Sequence, residues 1–502
     1  MESASVREGN DASQMNVPEA GRALTPLPRW ATLGYSAGAL LDGIAGQGVN
    51  IFLFFYVTTV AGLSAAFAGI ALAVGLAVDA IVDPLIGSLS DNIRSRFGRR
   101  LPFMMLGVPA TVACLVAIFS LPSGWSQLAL FAWVTSLSIG LRIAMSLFLL
   151  PYNAVGAEIS DDYAERSSIA MWRWAFAMVG ALIAIILGFG VFLGGEGGLS
   201  HRQGYTPLAV SLAAIAAVGG LITMRTLTAM RDRQHAASAN QAGSFHLRLL
   251  AEVREIFRNQ SFRTLFVGAL LLFTSLAIHS SLGLHANTYF WRLSAAQIQM
   301  VTLSLFAGLL LGAPLAAPML ARIEKRTVLL IGMVGLALST SLPATLRLLG
   351  LFPFQGQTLV AILSAAVLLG GILMAAAGIA FASMMADAAD EHEHLFGARR
   401  EGLYFAGWAF ATKAAAGLGS LVSGLSLQAI DFQSAGGGTV NLTAGTVRWI
   451  GLINGPGAGI LALAAAALCL FYRLDAKRHA AIRRDLDARR RGVLAAATGM
   501  AT

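Results

Sequence analysis

Charge is scarce in this chain: Asp, Glu, Lys and Arg together make up 12% of 502 residues, against 56% hydrophobic ones. A mean hydropathy of +0.70 excludes an ordinary soluble globular domain. Cysteine is almost missing, and Cys114 and Cys469 both fall in apolar runs, which excludes a disulfide framework and leaves packing as their expected role. No G-x-x-x-x-G-K-[ST] loop occurs, so nucleotide-driven pumping has no sequence support. Nothing suggests an enzyme or a bound cofactor either. The segment from Met1 to about Arg29 mixes acids and bases and lacks a short apolar core before a small-residue cleavage site. It reads as a disordered cytoplasmic leader (1–30) rather than a signal peptide.

Long apolar runs and glycine are plentiful instead. Fifty-four glycines suit helices that approach closely in lipid. Runs of about 20 or more apolar residues lie near 31–60, 66–90, 102–121, 126–156, 168–194, 206–229, 264–290, 297–321, 327–349, 358–386, 402–430 and 448–472. The expected fold is an all-α polytopic membrane protein with twelve transmembrane helices in two six-helix bundles, 31–229 and 264–472. A central loop, 230–263, separates them, and a basic tail, 473–502, follows.

Arginines concentrate in alternate loops: Arg94, Arg96, Arg99 and Arg100; Arg231 to Arg258; Arg322, Lys325 and Arg326; Arg399 and Arg400. The positive-inside rule then puts both termini in the cytoplasm. Within the central loop, His246 to Phe262 has a basic amphipathic pattern expected to lie on the membrane surface. The tail from Arg473 to Arg491 is expected on anionic lipid, at about 1 kcal/mol per basic residue. Its bases adjoin the last span and no stacking aromatics interleave, so the formal charge of +9 reflects topology and not a nucleic-acid partner.

Against this apolar background, Asp79 and Asp83 sit one helical turn apart inside the second run. An ionised side chain at mid-bilayer costs about 2.5–3.5 kcal/mol on insertion scales, so such residues usually face a bundle interior or a water-filled path. Carboxylates four apart share one helix face and can supply two oxygen ligands to a hard cation, or hold one proton between them. Asp42 in the first run can grip hydroxyls bidentately or join the cation site. Arg173 and Lys413 are intramembrane cations, one in each half, able to serve a carboxylated solute or to pair with these aspartates. The halves echo each other at Pro84-Leu85 and Pro314-Leu315, but Leu309 and Ala313 replace the two aspartates, so the site is one-sided.

Two histidine features invite other readings. Asp390-Glu391-His392-Glu393-His394 resembles a metal site in composition, yet it falls in the expected short loop between spans ten and eleven with no further ligands, and is read as mixed loop charge. His279 and His285 are expected to be hydrogen-bonded packing residues.

Four ordered stretches resemble a known family. They are Asp79-Ala-Ile-Val-Asp83-Pro84 through Gly87-x-x-x-Asp91 to Gly98-Arg99-Arg100-Leu101-Pro102; Pro151-Tyr152-Asn153-Ala154 with Glu158, Glu165-Arg166 and Arg173; Asp387 through Arg399-Arg400-Glu401-Gly402; and Lys413. Together, over about residues 30–475, they are similar to the glycoside–pentoside–hexuronide:cation symporters, the melibiose-permease-like branch of the major facilitator superfamily. The resemblance implies a monomer in a bacterial inner membrane that carries a small solute with Na⁺ or H⁺ by alternating access. It implies cation binding at Asp79, Asp83 and Asp42, and solute binding at Asp42, Tyr152, Asn153, Arg173, Lys413 and Trp172. It also implies a cytoplasmic gate at Gly87, Asp91, Arg99 and Arg100. In that gate Gly87 is expected to permit close helix approach, so that Gly87→Leu impairs switching, and Asp91 is expected at a helix N-terminus. Two departures weaken a sugar-specific site: Leu149 where a family member has an aspartate, and Asn153 where it has an aromatic residue. The alternatives are an amphipathic lipid such as a lysophospholipid, which one branch member carries, or a sensor that has lost transport.

Overall fold

The computed structural model describes residues 27–93, 95–160, 162–195, 198–230, 252–432 and 442–499; the leader and most of the central loop lie outside these. The described part is helical, and the elements follow the apolar runs: α1 (Arg29–Val60), α2 (Ala65–Asn92), α3 (Leu101–Ile118), α4 (Gln127–Glu158), α5 (Tyr163–Phe192) and α6 (Tyr205–Ala229) form the first half. The second half is α7 (Gln260–Phe290), α8 (Ala295–Arg322), α9 (Lys325–Leu348), α10 (Gly356–Phe396), α11 (Glu401–Ala429) and α12 (Ala444–Cys469), followed by α13 (Ala476–Gly499). Eleven of the described helices are long and apolar enough to cross a membrane. The remaining expected span, the eleventh at 402–430, is α11, which is 29 residues long but carries Lys413 and a more polar sequence. Helix starts are set locally, since Ser64, Ser126, Asp162, Asn259, Ser294 and Thr443 each accept a backbone N–H from the first turn.

Expectation and structure part most clearly at α10. It runs on to Phe396, ten residues past the expected end of span ten, because no proline interrupts it before Gly397 closes it at φ 77°. Asp390 to His394 are therefore helical, and their partners are internal. Glu391 pairs with Arg478 at 3.1 Å, Asp390 with His479 at 3.1 Å, Glu393 with Arg490 at 3.0 Å, and His392 with Glu255 at 3.2 Å.

The tail helix α13 thus docks on the extension of α10 instead of lying on lipid, with Ile482 and Leu486 buried among Met384, Ala388 and Tyr472. Residues 252–262, the described part of the expected amphipathic segment, also face protein: Glu252 pairs with Arg400 at 2.9 Å, and Ile256 and Phe262 are buried. The acidic end of α10 offers the tail's basic residues fixed carboxylates beside an apolar seat. Leu486→Asp is expected to release α13 and speed tryptic cleavage between 476 and 491 about tenfold, read by limited proteolysis.

Among the described residues, the apolar core shared by the two halves gathers at one end. The larger buried cluster joins Phe55, Val57 and Val60 at the end of α1 to Ile278, Leu282 and Phe290 of α7, and His285 Nε2 lies 2.9 Å from Thr58 Oγ1. At the same end α2 crosses α11 so closely that a Cβ on Gly69 would sit 2.7 Å from the Ser420 carbonyl oxygen, and one on Gly424 would strike the Ala65 carbonyl. The smaller cluster, near the chain termini, takes every member from residue 256 onward, so no apolar packing within it bridges the halves there. The body is closed where α1 turns into α2 and open at the end that bears the termini.

Candidate functional site

Between the halves lies a cavity of about 560 Å³, within the usual range for a small-molecule site. Helix geometry explains its lining. Leu72, Leu76, Asp79 and Asp83 form one stripe of α2, and Ser138, Arg142, Met145, Ser146, Leu149 and Asn153 form one stripe of α4. From α1 come Asp42, Gln47 and Asn50, and from α7 and α11 come Ser280, Ser281, Thr412 and Lys413. Asp42 opens a π-helical turn, Asp42–Gly48, whose extra residue per turn is a feature often found at functional sites.

The two aspartates of α2 share partners. Ser146 donates to Asp79 at 3.0 Å and approaches Asp83 at 2.5 Å, and its single hydroxyl proton serves one at a time. The Lys413 ammonium lies 2.9 Å from Asp79 Oδ2 and also pairs with Asp83 Oδ2, crossing from the second half to the first. Asp79 is 7% exposed, deep enough that losing this cation without replacement would leave a costly buried charge.

Other sequence-derived candidates sit differently. Arg173 donates to Asn153 Oδ1 and stacks 4.7 Å over the Tyr152 ring, so it reaches the cavity through Asn153. Tyr152 is 1% exposed behind that lining, stacked on Tyr35 at 4.7 Å. Trp172 faces a separate hollow with Arg29, Thr32 and Glu165.

Of the residues expected to form a gate, Asp91 occupies the last turn of α2, not a helix N-terminus. The helix dipole disfavours a carboxylate there, and Arg100 compensates with bonds of 3.0 Å to Asp91 and 2.8 Å to Glu158, while Arg99 lies 3.5 Å from Glu158. These four charges tie α2, α4 and the start of α3 together within one half. A Cβ added at Gly87 would meet no atom within 4 Å, so this glycine packs against nothing on the open side and permits no close helix approach in this conformer. His279 Nδ1 lies 3.0 Å from the Asn454 carbonyl and His285 is held by Thr58, the packing roles expected of them.

Sequence reasoning overlooks Ser146 and Arg142. They stand one and three helical turns from Leu149 and Asn153 toward the start of the same run, so a polar stripe through the fourth apolar run is the available signal.

The family model described as MFS/sugar transport protein matches residues 34–476. The chain belongs to that family. It is similar to a glucuronide carrier protein homolog of Escherichia coli, 24% identical over 78% of this chain and 82% of that one. It is also similar to the sodium-dependent lysophosphatidylcholine symporter 1 of Mus musculus, 26% identical over 80% of this chain and 78% of that one. Of two further symporter relatives the aligned part of the chain spans 29% and 60% of their length. Among solved structures, a D-xylose-proton symporter superposes with a TM-score of 0.61 at 15% identity, covering 89% of this chain and 98% of that one, a likeness of fold. The family and the apolar helices make this an integral membrane protein of the transporter class.

Proposed function

We propose that the protein is a secondary active symporter in which Na⁺ or H⁺ drives a sugar, glycoside or sugar-acid solute through the bundle by alternating access. The observation that carries this is the Asp79–Asp83–Lys413 triad: two carboxylates on one half hold a single mobile cation from the other. Asp79, Asp83 and Ser146 offer oxygens suited to a hard cation. An incoming Na⁺ or proton competes with the Lys413 ammonium for those oxygens, and its arrival frees α11 from α2. Asp42, Gln47, Asn50 and Asn153 then offer donors and acceptors to solute hydroxyls from the facing walls. With the termini in the cytoplasm, the open end faces inward.

The lysophospholipid alternative has a similar relative behind it, but the polar lining from α1, α7 and α11 suits a hydroxylated solute better.

The test is thermal stability of the purified chain against Na⁺, Li⁺ and pH, since a ligand stabilises only by binding the folded state preferentially. Wild type is expected to show a saturable cation-dependent rise in Tm. Lys413→Ala, which removes the internal competitor, is expected to half-saturate at about tenfold lower cation while losing gradient-driven accumulation. Absence of any cation or proton response in wild type would sink this reading.

A further inference from the structure

The charges lining the cavity are not all paired. Asp79, Asp83 and Lys413 form a closed triad, whereas Arg142 on α4 and Asp42 on α1 open on the same space without a hydrogen bond or close ion pair to any described residue. Arg142 interacts through space with Asp79 and Asp83, whose Oδ2 atoms face Lys413 and whose Oδ1 atoms face Ser146, and it bonds neither. A guanidinium keeps its charge at any ordinary pH and offers a planar fork of donors that matches a carboxylate bidentately. Such a group in the middle of a membrane helix calls for an anion, and among the described residues this one has none within bonding reach.

We propose that Arg142 determines specificity by pairing with a carboxylate on the transported solute, so that the solute is a sugar acid rather than a neutral glycoside. Arg142 stands one helical turn from Ser146 and three turns from Asn153 on the same stripe of α4. The solute's carboxylate therefore lies beside the cation site, and its hydroxyls extend toward Asp42, Gln47 and Asn50 on the opposite wall. Charge conservation favours the arrangement. The cavity lining sets the carboxylates of Asp42, Asp79 and Asp83 against the cations of Arg142 and Lys413, one net negative charge. Adding one cation together with one anionic solute leaves that net charge unchanged, so loaded and solute-free forms reorient under the same electrostatic conditions. A neutral solute would alter it.

This inference rests on the symporter reading, and the experiment separates the two. The probes are 4-nitrophenyl β-D-glucuronide and 4-nitrophenyl β-D-glucoside, which differ by carboxylate against hydroxymethyl, with lysophosphatidylcholine as a third arm. Binding to the purified full chain is followed by thermal shift in wild type, Arg142→Gln and Arg142→Lys. Wild type is expected to bind the glucuronide at least about tenfold more tightly than the glucoside, as a charge-assisted hydrogen-bonded pair provides. Arg142→Gln should bring the two within about twofold, and Arg142→Lys, charged but without the fork, should retain an intermediate preference. The sodium response without glycoside, which should persist in Arg142→Gln at equal or lower sodium, reports on folding and on the cation site separately. Glucuronide preference surviving in Arg142→Gln overturns the proposal, as does a wild type that prefers the glucoside, binds neither, or responds to lysophosphatidylcholine alone. Absence of both a sodium and a proton response in wild type with an intact Arg142-dependent preference would instead overturn only the symporter reading.

Discussion

Asp83→Asn is expected to abolish cation-driven accumulation of solute while leaving the chain folded. The substitution keeps the side-chain volume but removes one of the two carboxylates that hold Lys413 and face Ser146. Removing one partner from a buried charge cluster costs about 3–5 kcal/mol, which corresponds to about 150- to 4,000-fold in cation affinity. Asp79 alone then retains the Lys413 ammonium, and a cation must displace it with a single carboxylate. Two assays on reconstituted protein separate the causes: uptake driven by an imposed Na⁺ or proton gradient should disappear, whereas the far weaker demand of a cation-independent stability measurement should be met. Ser146→Ala, which removes a neutral hydroxyl, should cost far less, about tenfold. Unchanged accumulation in Asp83→Asn would remove the cation role from α2 altogether.

The second large effect concerns the closed end. Gly424→Leu is expected to abolish transport by forbidding the crossing of α2 on α11, because a side chain there meets the backbone of Ala65 and Gly69 and neither can withdraw. Overpacking at such a contact costs about 1–3 kcal/mol or more, enough to invert an equilibrium between two conformers separated by a similar amount. The protein should then populate the form open at the α1–α2 end, with the cation response kept. Labelling of cysteines introduced at the two ends with a membrane-impermeant maleimide reads the shift directly. Gly87→Leu is the control, at the opposite end of α2 from that crossing. Nothing lies within 4 Å of a Cβ at Gly87, so the present conformer accepts the larger side chain, and any impairment must come from the state in which that end closes. If Gly424→Leu transports at the wild-type rate, the contact is not part of the conformational cycle.

The sequence alone determines the architecture and the chemical character of the site. Twelve apolar runs are legible because lipid demands that each span satisfy its own backbone and present apolar side chains, so one-dimensional composition suffices. Asp79 and Asp83 are legible for the converse reason: a carboxylate in such a run is too costly to be incidental. Partnership is another matter. That Lys413 reaches Asp83 from 330 positions away and Asp79 beside it, that Ser146 faces them and that Arg142 bonds neither depend on how α2, α4 and α11 are rotated, which packing sets. The same limit applies to Tyr152 and Trp172, whose motif is readable while their directions, behind the lining and into another hollow, are not. The basic tail reads as lipid-bound because sequence shows its charge but not the carboxylates of α10 that meet it. Local pattern determines what a segment is; only the tertiary structure decides which charges find one another, because the distances between helices are fixed by contacts far apart in the chain.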